Sequence, residues 1–332
     1  MCAWGFSLRK RPLVRLFCQR DDIRFVARGS SVPVGSDLLL WGAAEPPHGL
    51  PADVRVVRVE DGFIRSVGLG ADLVRPLSWV MDVRGIYFDS RQPSDLELLL
   101  QETDFSAAEL SRAALLRQSL VMHGISKYNL PGRVWERPLD ASRVVLVAGQ
   151  VETDASIRLG AAGICTNLAL LKAVRQANPD AWVVYKPHPD VVAGLRNAGA
   201  QEDQAAHWCN EVLPHVSMSQ LLPLVDEVHV MTSLTGFEAL LRGIPVVCHG
   251  QPFYSGWGLT ADVHPVARRT RRLTLDALVA GALLRYPTYL APGSSRLCSA
   301  EEAVEALRQL RQGAAEQPPL WRRALRPWLA RP

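Results

Sequence analysis

The sequence predicts an α/β protein of two domains whose parallel sheets face a cleft. Three observations carry this. The chain has 332 residues, long for one core and comfortable for two. Its second half alternates helices with short strands that are apolar throughout, the pattern of a parallel sheet covered on both faces. A stretch rich in proline and glycine, "YNLPGRVWERPLD", separates that half from the first. The reading gives a first domain over residues 1–138, a second over 139–295 and a helical tail over 296–332.

In the first half, strand candidates lie at 23–27, 37–41 and 54–59, followed by helical spacing of apolar residues near 94–101 and 107–121. After the linker, 144–147 reads as a buried strand and 168–177 as a helix closed by Asn178-Pro179. A strand at 182–185, another at 227–231, a short helix at 236–242 and a strand at 245–248 follow. No repeat of 20 to 50 residues is visible. In such sheets ligands sit beyond the carboxyl ends of the strands.

Composition narrows the partners. The 37 basic and 33 acidic residues leave a formal charge of +4, which favours anionic ligands but falls far short of a nucleic-acid binder. Only four of the basic residues are lysines (10, 127, 172 and 186), so a lysine at 186 is informative. A compact ammonium is a good point charge for phosphate. The six cysteines are scattered without a CxxC pair, which reads as a reducing compartment and argues against structural zinc. No run approaches the roughly 18 apolar residues that cross a bilayer. Charges near the N-terminus sit where a secretory signal would place its apolar core. The expectation is a cytoplasmic protein.

Four polar clusters fall at four strand ends. The strand at 144–147 runs into "AGQVETDAS", with Gln150, Glu152 and Asp154. The strand at 182–185 runs into "KPHP", where two prolines fix the backbone around Lys186 and His188. The strand at 227–231 runs into "TSLTGFEALLRGIPV", and the strand at 54–59 into "EDGFIRS". In the third cluster Thr235 and Glu238 stand at capping-box spacing, and Gly243 can close the helix before Pro245. Ser233, Thr235 and Gly236 then lie at a helix N-terminus, a ready anion site. A well-capped helix alone would give the same pattern. The glutamate followed by "ALLRGIPV" nevertheless resembles the nucleotide-sugar site of GT-B glycosyltransferases, where the helix faces the donor phosphate and the glutamate takes the ribose hydroxyls. Lys186 and His188 could close on that phosphate from the neighbouring strand, the histidine as hydrogen-bond donor or as imidazolium; capping a turn is the plainer role for it. Among the other histidines only His249, in "CHGQPFYSGWG", stands out. Asp154 and the Glu60-Asp61 pair are weak motifs singly, since acids near glycine are usually turn formers. Together they offer one carboxylate from each domain, which suits glycosyl transfer.

With these clusters in place the sequence resembles the capsule polysaccharide biosynthesis family of KpsC type, the retaining β-Kdo glycosyltransferases. The residues that carry the resemblance are "VRVEDGFIRSVGLGADLVRPLS", "GIYFDSRQPSDLE", "KYNL", "GQVETDASIRLG", "VYKPHPDV", "VDEVHVMTSLTGFEALLRGIPVVCHGQPFYSGWGLT" and "RYPTYL", in family order over roughly residues 4 to 290. The resemblance implies two Rossmann-like domains of GT-B type, CMP-β-Kdo as donor and a lipid-linked Kdo primer as acceptor at the cytoplasmic face of the inner membrane. The family's QxxxD motif falls on Gln150 and Asp154, which makes Asp154 the nucleophile of a double displacement. KPHP puts Lys186 and His188 against CMP. "EDG" is similar to the acid–acid–Gly motif of bacterial CMP-sialic acid transferases and marks Glu60 or Asp61 as acid/base, with Glu60 preferred. Kdo carries a carboxylate at its anomeric carbon, and Arg65 and Arg158 are candidates to meet it, though either could equally be a surface ion-pair residue. There is no DxD, so no metal cofactor is expected and activity should persist in excess EDTA. Family members often carry two modules in tandem, whereas each motif occurs once here, and "WGFSLRKRPLVRLF" resembles the start of the C-terminal module. The "RRTRR" run at 268–272 and the tail "WRRALRPWLARP" could contact an anionic leaflet peripherally, or the tail could pack on the first domain. The competing readings are another CMP- or UDP-sugar transferase or epimerase of GT-B type, and a non-catalytic polysaccharide-assembly module.

Overall fold

Five consecutive apolar residues, Val144–Ala148, are all buried, which requires cover on both faces of the strand they form. The computed structural model describes residues 1–68, 74–130 and 132–314, and it supplies that cover. In chain order the strands are β1 (Cys2–Trp4), β2 (Arg24–Phe25), β3 (Asp37–Trp41), β4 (Arg55–Asp61), β5 (Ser78–Asp82), β6 (Val144–Ala148), β7 (Trp182–Lys186), β8 (Glu211–Val212), β9 (Glu227–Val230), β10 (Val246–Cys248), β11 (Ala261–Asp262), β12 (Pro287–Leu290) and β13 (Leu297–Cys298). The helices are α1 (Lys10–Cys18), α2 (Asp95–Glu102), α3 (Ala107–Met122), α4 (Ala155–Gly160), α5 (Asn167–Ala177), α6 (Pro189–Val192), α7 (Met218–Leu221), α8 (Leu234–Leu241), α9 (Leu275–Val279) and α10 (Ala300–Ala314).

The second sheet has the order β11-β10-β9-β6-β7-β8, and every pairing in it is parallel. The first, β13-β12-β5-β4-β3-β1-β2, is parallel only from β2 to β4. There the expectation of a parallel sheet is corrected. β5 returns antiparallel to β4, with no helix among the described residues between them, and β12 pairs antiparallel with both β5 and β13. Because β12 and β13 join the first sheet, the chain crosses back well before residue 296. Of the predicted tail, 296–314 supplies β13 and α10, and residues 315–332 lie outside the described residues.

One apolar cluster runs between the two halves, beside smaller clusters against the individual sheets. Phe63, Leu96 and Leu100 of the first half pack in the same cluster as Phe237, Phe253, Tyr254 and Trp257 of the second. Phe63 stacks on Phe253 with ring centroids 4.4 Å apart and meets Tyr87 edge-on at 4.8 Å. Such aromatic pairs add about 0.5–1.5 kcal/mol each beyond burial. This floor fixes how the ends of β4, β6, β7 and β9 face one another.

The "RRTRR" run belongs to that junction. Arg268 and Arg269 both donate to Glu97 of α2, the second through Nε at 2.9 Å. Arg271 donates to the Thr103 carbonyl at 2.6 Å and to Asp104 at 2.9 Å. Committed in this way, Arg268, Arg269 and Arg271 stitch the two halves together, a structural role for the run. Among the described residues no helix is long and apolar enough to cross a membrane.

Candidate active site

The carboxyl ends of β4, β6, β7 and β9 open on one cavity of about 900 Å³. Glu60, Gln150, Asp154, Lys186, His188, Ser233, Thr235 and Glu238 all line it. The volume is of the size that holds a nucleotide-sized ligand.

Asp154 occupies the N-cap of α4 with extended backbone (φ −68°, ψ 150°), yet its side chain makes no capping hydrogen bond. Its main chain is engaged instead: the N–H donates to Val151 O at 2.9 Å and the carbonyl accepts from Ile157 and Arg158, both at 3.1 Å. An aspartate in this position ordinarily caps. Here, among the described residues, the carboxylate has no hydrogen-bond or ion-pair partner and stands on the cavity wall. Arg158 lies one turn along α4, exposed and off the cavity lining, which removes it as a ligand for the sugar carboxylate. The helix N-terminus faces the site, and a further turn carries a side chain about 5 Å away from it.

Gln150 lines the cavity but has its amide occupied. Its Nε2 donates to Thr232 Oγ1 at 2.9 Å, and its Oε1 accepts the Thr232 N–H at 2.8 Å. It therefore locks the end of β9 to that of β6, and the expectation of direct substrate contact becomes a positioning role.

At the end of β4, successive residues point to opposite sides. Glu60 faces the cavity and accepts the Asp61 N–H at 2.9 Å. Asp61 turns to Arg65, at 2.6 Å, and Arg65 also donates to Ser66 Oγ at 2.8 Å. Neither Asp61 nor Arg65 lines the cavity, so the pair divides: Glu60 is the acid in reach of a ligand, and Arg65 is spent on its neighbour. Burial and the adjacent Asp61 charge push the Glu60 carboxyl up to about 7. Lys10, lying over the Trp41 ring, is lowered to about 8 by burial, against the pull of Asp61 and Glu60.

Lys186 ends β7, with its ammonium 3.4 Å from the carbonyls of Leu213 and Pro214, and burial lowers it to about 8. His188 caps the short turn α6, its Nδ1 accepting the Asp190 N–H at 3.2 Å. That bond assigns the proton to Nε2. Burial, then Lys127, Arg196 and Lys186, depress the imidazole to about 3. His188 thus both caps a turn and lines the site, as a neutral donor; the imidazolium expectation is corrected.

Ser233, not Thr235, caps α8, its Oγ accepting the Thr235 N–H at 3.2 Å. The capping box expected between Thr235 and Glu238 does not form, because Glu238 Oε1 accepts the Lys127 N–H at 2.8 Å. The amide end of α8 still faces the cavity through Leu234 and Thr235. Gly236 does not. A Cβ there would collide with the Tyr254 hydroxyl, which donates to the Ser233 carbonyl, so Gly236 is a packing glycine and not a ligand contact. His249 pairs with His229 Nδ1 at 3.1 Å, away from the cavity lining. Among the described residues no group of three or more His, Cys, Asp or Glu side chains is arranged to hold a metal ion.

Side chains that the sequence reading did not assign also line the site: Tyr87, Lys127, Tyr128, Arg133, Arg196 and Phe253. Three of them lie in stretches that carry the resemblance without a role, "GIYFD" and "KYNL".

Comparison with known proteins covers both sheets. The family described as "Capsule polysaccharide biosynthesis protein" matches residues 36–130 and 140–291. The capsule polysaccharide modification protein LipA of Neisseria meningitidis serogroup A / serotype 4A (strain DSM 15465 / Z2491) is 44% identical over 317 residues, covering 91% of this chain and 44% of LipA. The lipopolysaccharide-processing protein LpsZ of Rhizobium meliloti is 40% identical over 287 residues, covering 84% of this chain and 65% of LpsZ. The chain thus spans less than half of LipA. Two solved structures of Thermosulfurimonas dismutans KpsC align over nearly their whole length. The β-Kdo 2,7 transferase gives a TM-score of 0.78 at 37% identity, covering 94% of this chain and 99% of that one. The β-Kdo 2,4 transferase gives 0.81 at 31%, covering 93% and 98%. Sequence match and shared fold agree across both sheets and the cleft between them, and on that ground the chain belongs to the capsule polysaccharide biosynthesis family, with the two-domain GT-B arrangement of the KpsC glycosyltransferases.

Proposed function

We propose that the chain is a retaining glycosyltransferase that moves β-Kdo from CMP-Kdo to a Kdo-terminated, lipid-linked acceptor in capsule polysaccharide synthesis, working at the cytoplasmic face of the inner membrane. The observation that carries it is the uncommitted Asp154 carboxylate in one cavity with Lys186, His188 and the amide end of α8 on its own domain, and Glu60 on the other. The likeness to the two KpsC transferases supports the sugar.

In the first half-reaction an Asp154 oxygen bonds to the anomeric carbon, and the carbon–oxygen bond to phosphate breaks with its electrons leaving on CMP. The departing charge is met by α8 amides, Lys186 and the His188 Nε2–H. No metal is assigned a part. In the second half-reaction the acceptor hydroxyl attacks the same carbon, Glu60 takes its proton, and the bond to Asp154 breaks. A carboxyl near 7 is poised for that exchange.

The two halves titrate apart. Glu60 must be ionised to act as base, so kcat/KM for the acceptor should rise with pH through about 7 and level off above it. Glu60→Gln should remove that limb and slow transfer by about 100-fold or more. Lys186 must be charged to grip phosphate, so kcat/KM for the donor should fall above about pH 8. An acceptor profile that is flat from pH 6 to about 8 would remove Glu60 from the base role.

The donor is tested by thermal shift with CMP, UDP and GDP. CMP alone should protect, and His188→Ala should weaken it about tenfold, the loss of one donor to a charged group. Preferential protection by UDP would overturn the Kdo assignment.

A further inference from the structure

The sugar in this reading carries a carboxylate on the carbon that reacts, and neither Arg65 nor Arg158 reaches the cavity. We propose that Lys127 holds that carboxylate and makes the site selective for 2-keto sugar acids, an assignment that rests on the donor reading above.

Among the described residues four cationic side chains line the cavity: Lys127, Arg133, Lys186 and Arg196. Arg133 and Arg196 are exposed, at its rim. Lys186 is turned to the carbonyls of Leu213 and Pro214 at the phosphate end. Lys127 is half-buried, and among the described residues its ammonium has neither a hydrogen-bond acceptor nor an ion-pair partner. Burial opposes its charge, yet Tyr128, Tyr87 and Asp61 push its pKa up, so the ammonium stays charged and open to an anionic ligand.

Its backbone is pinned from both domains. The Lys127 N–H donates to Glu238 Oε1 at 2.8 Å on α8, while its carbonyl accepts the Ser66 N–H at 3.3 Å. The Tyr128 carbonyl accepts the Gly68 N–H at 2.8 Å, and Asn129, in the left-handed region at φ 50°, donates to Ser66 O at 2.9 Å. This much fixing of a short loop is what a site residue needs to hold its charge in place. The ammonium lies 5.3 Å from the Tyr128 ring centre, and that ring meets His188 edge-on at 6.5 Å. Its charge acts on Glu60 as well as on His188. Lys127 thus lines the same cavity as His188 at the phosphate end and Glu60 at the acid end, where the anomeric carbon has to lie for Asp154 and Glu60 to act on it in turn. In that position the ammonium also counters the anion that Asp154 must approach.

The test uses the full chain carrying Asp154→Ala, so that donor binds without turnover, with CMP and CMP-Kdo titrated by calorimetry. Lys127→Met should leave the Kd of CMP within about twofold and weaken CMP-Kdo by about tenfold or more, the range for one charged hydrogen bond. Lys127→Arg should recover part of the loss. The carboxamide of CMP-Kdo should bind equally well with or without the lysine. Equal losses for CMP and CMP-Kdo, or no loss for either, would overturn the assignment while leaving the donor reading intact. A folded parent that binds neither nucleotide removes the donor reading, and this proposal with it.

Discussion

Asp154→Ala should abolish sugar transfer, by about a thousandfold or more, while CMP binding survives. The expectation rests on what the carboxylate does not do. At an N-cap, an aspartate ordinarily accepts a hydrogen bond from the first turn, and removing it costs about 1 kcal/mol of helix stability. Asp154 makes no such bond, so its loss should cost little in folding and nearly everything in chemistry. The groups assigned to CMP lie on β7 and α8, and none depends on Asp154 for its position: Lys186 is held by strand pairing, His188 by the Asp190 N–H, and α8 by Ser233. Intact-mass measurement after mixing the protein with CMP-Kdo alone should find a covalent sugar adduct, and the Asp154→Ala chain should carry none. An adduct that persists in the variant, or one that maps to Glu60, would refute the double displacement through Asp154.

What could be read from the sequence and what could not divides along a physical line. The second sheet was legible because its central strands are largely apolar, β6 and β10 throughout, and because β7 stops on residues with restricted backbone. Pro187 and Pro189 announce the end of β7, and the strand at β9 runs directly into a helix start. Local signals of this kind need no knowledge of the fold. The commitments of individual side chains were not legible, because they are set across large sequence separations. Glu238 matches a ribose-binding pattern and a capping-box spacing, yet one of its oxygens is used by Lys127, 111 residues away. Arg65 looks available beside the EDG turn until the structure closes it on Asp61. The strands β5 and β12 went unread for a related reason: each pairs antiparallel in a sheet expected to be parallel. Lys127 and Tyr87 were visible only as members of motifs, since a charge or ring in a loop says nothing about its direction until the second domain is in place.

Glu97 illustrates the same limit and gives the largest expected effect on stability. It follows the Ser94 N-cap of α2, whose Oγ accepts the Glu97 N–H at 3.1 Å, and from sequence it is simply an acid in a first turn. In the fold it is buried and takes Arg268 on both oxygens and Arg269 at 2.9 Å on Oε2. Arg269 is the more demanding partner. Its side chain is 2% exposed, and it also donates to the carbonyls of Pro252 at 2.6 Å and Ser255 at 3.0 Å. Carbonyls satisfy its hydrogens but not its charge, which leaves Glu97 as the anion that neutralises it. Removing one partner of a buried pair strands the other, at a cost of about 3–5 kcal/mol. Glu97→Ala should therefore lower Tm by roughly ten degrees, and Glu97→Gln by less, since the amide keeps one acceptor. Because Pro252 adjoins Phe253, which stacks on Phe63 in the floor of the cleft, the loss should also loosen the approach of Glu60 to the CMP-binding half. Donor and acceptor turnover measured below the new Tm should then fall together, with CMP affinity held. A Glu97→Ala chain that melts within about two degrees of the parent would mean that Arg269 finds water, and that the junction is held by its aromatic floor alone.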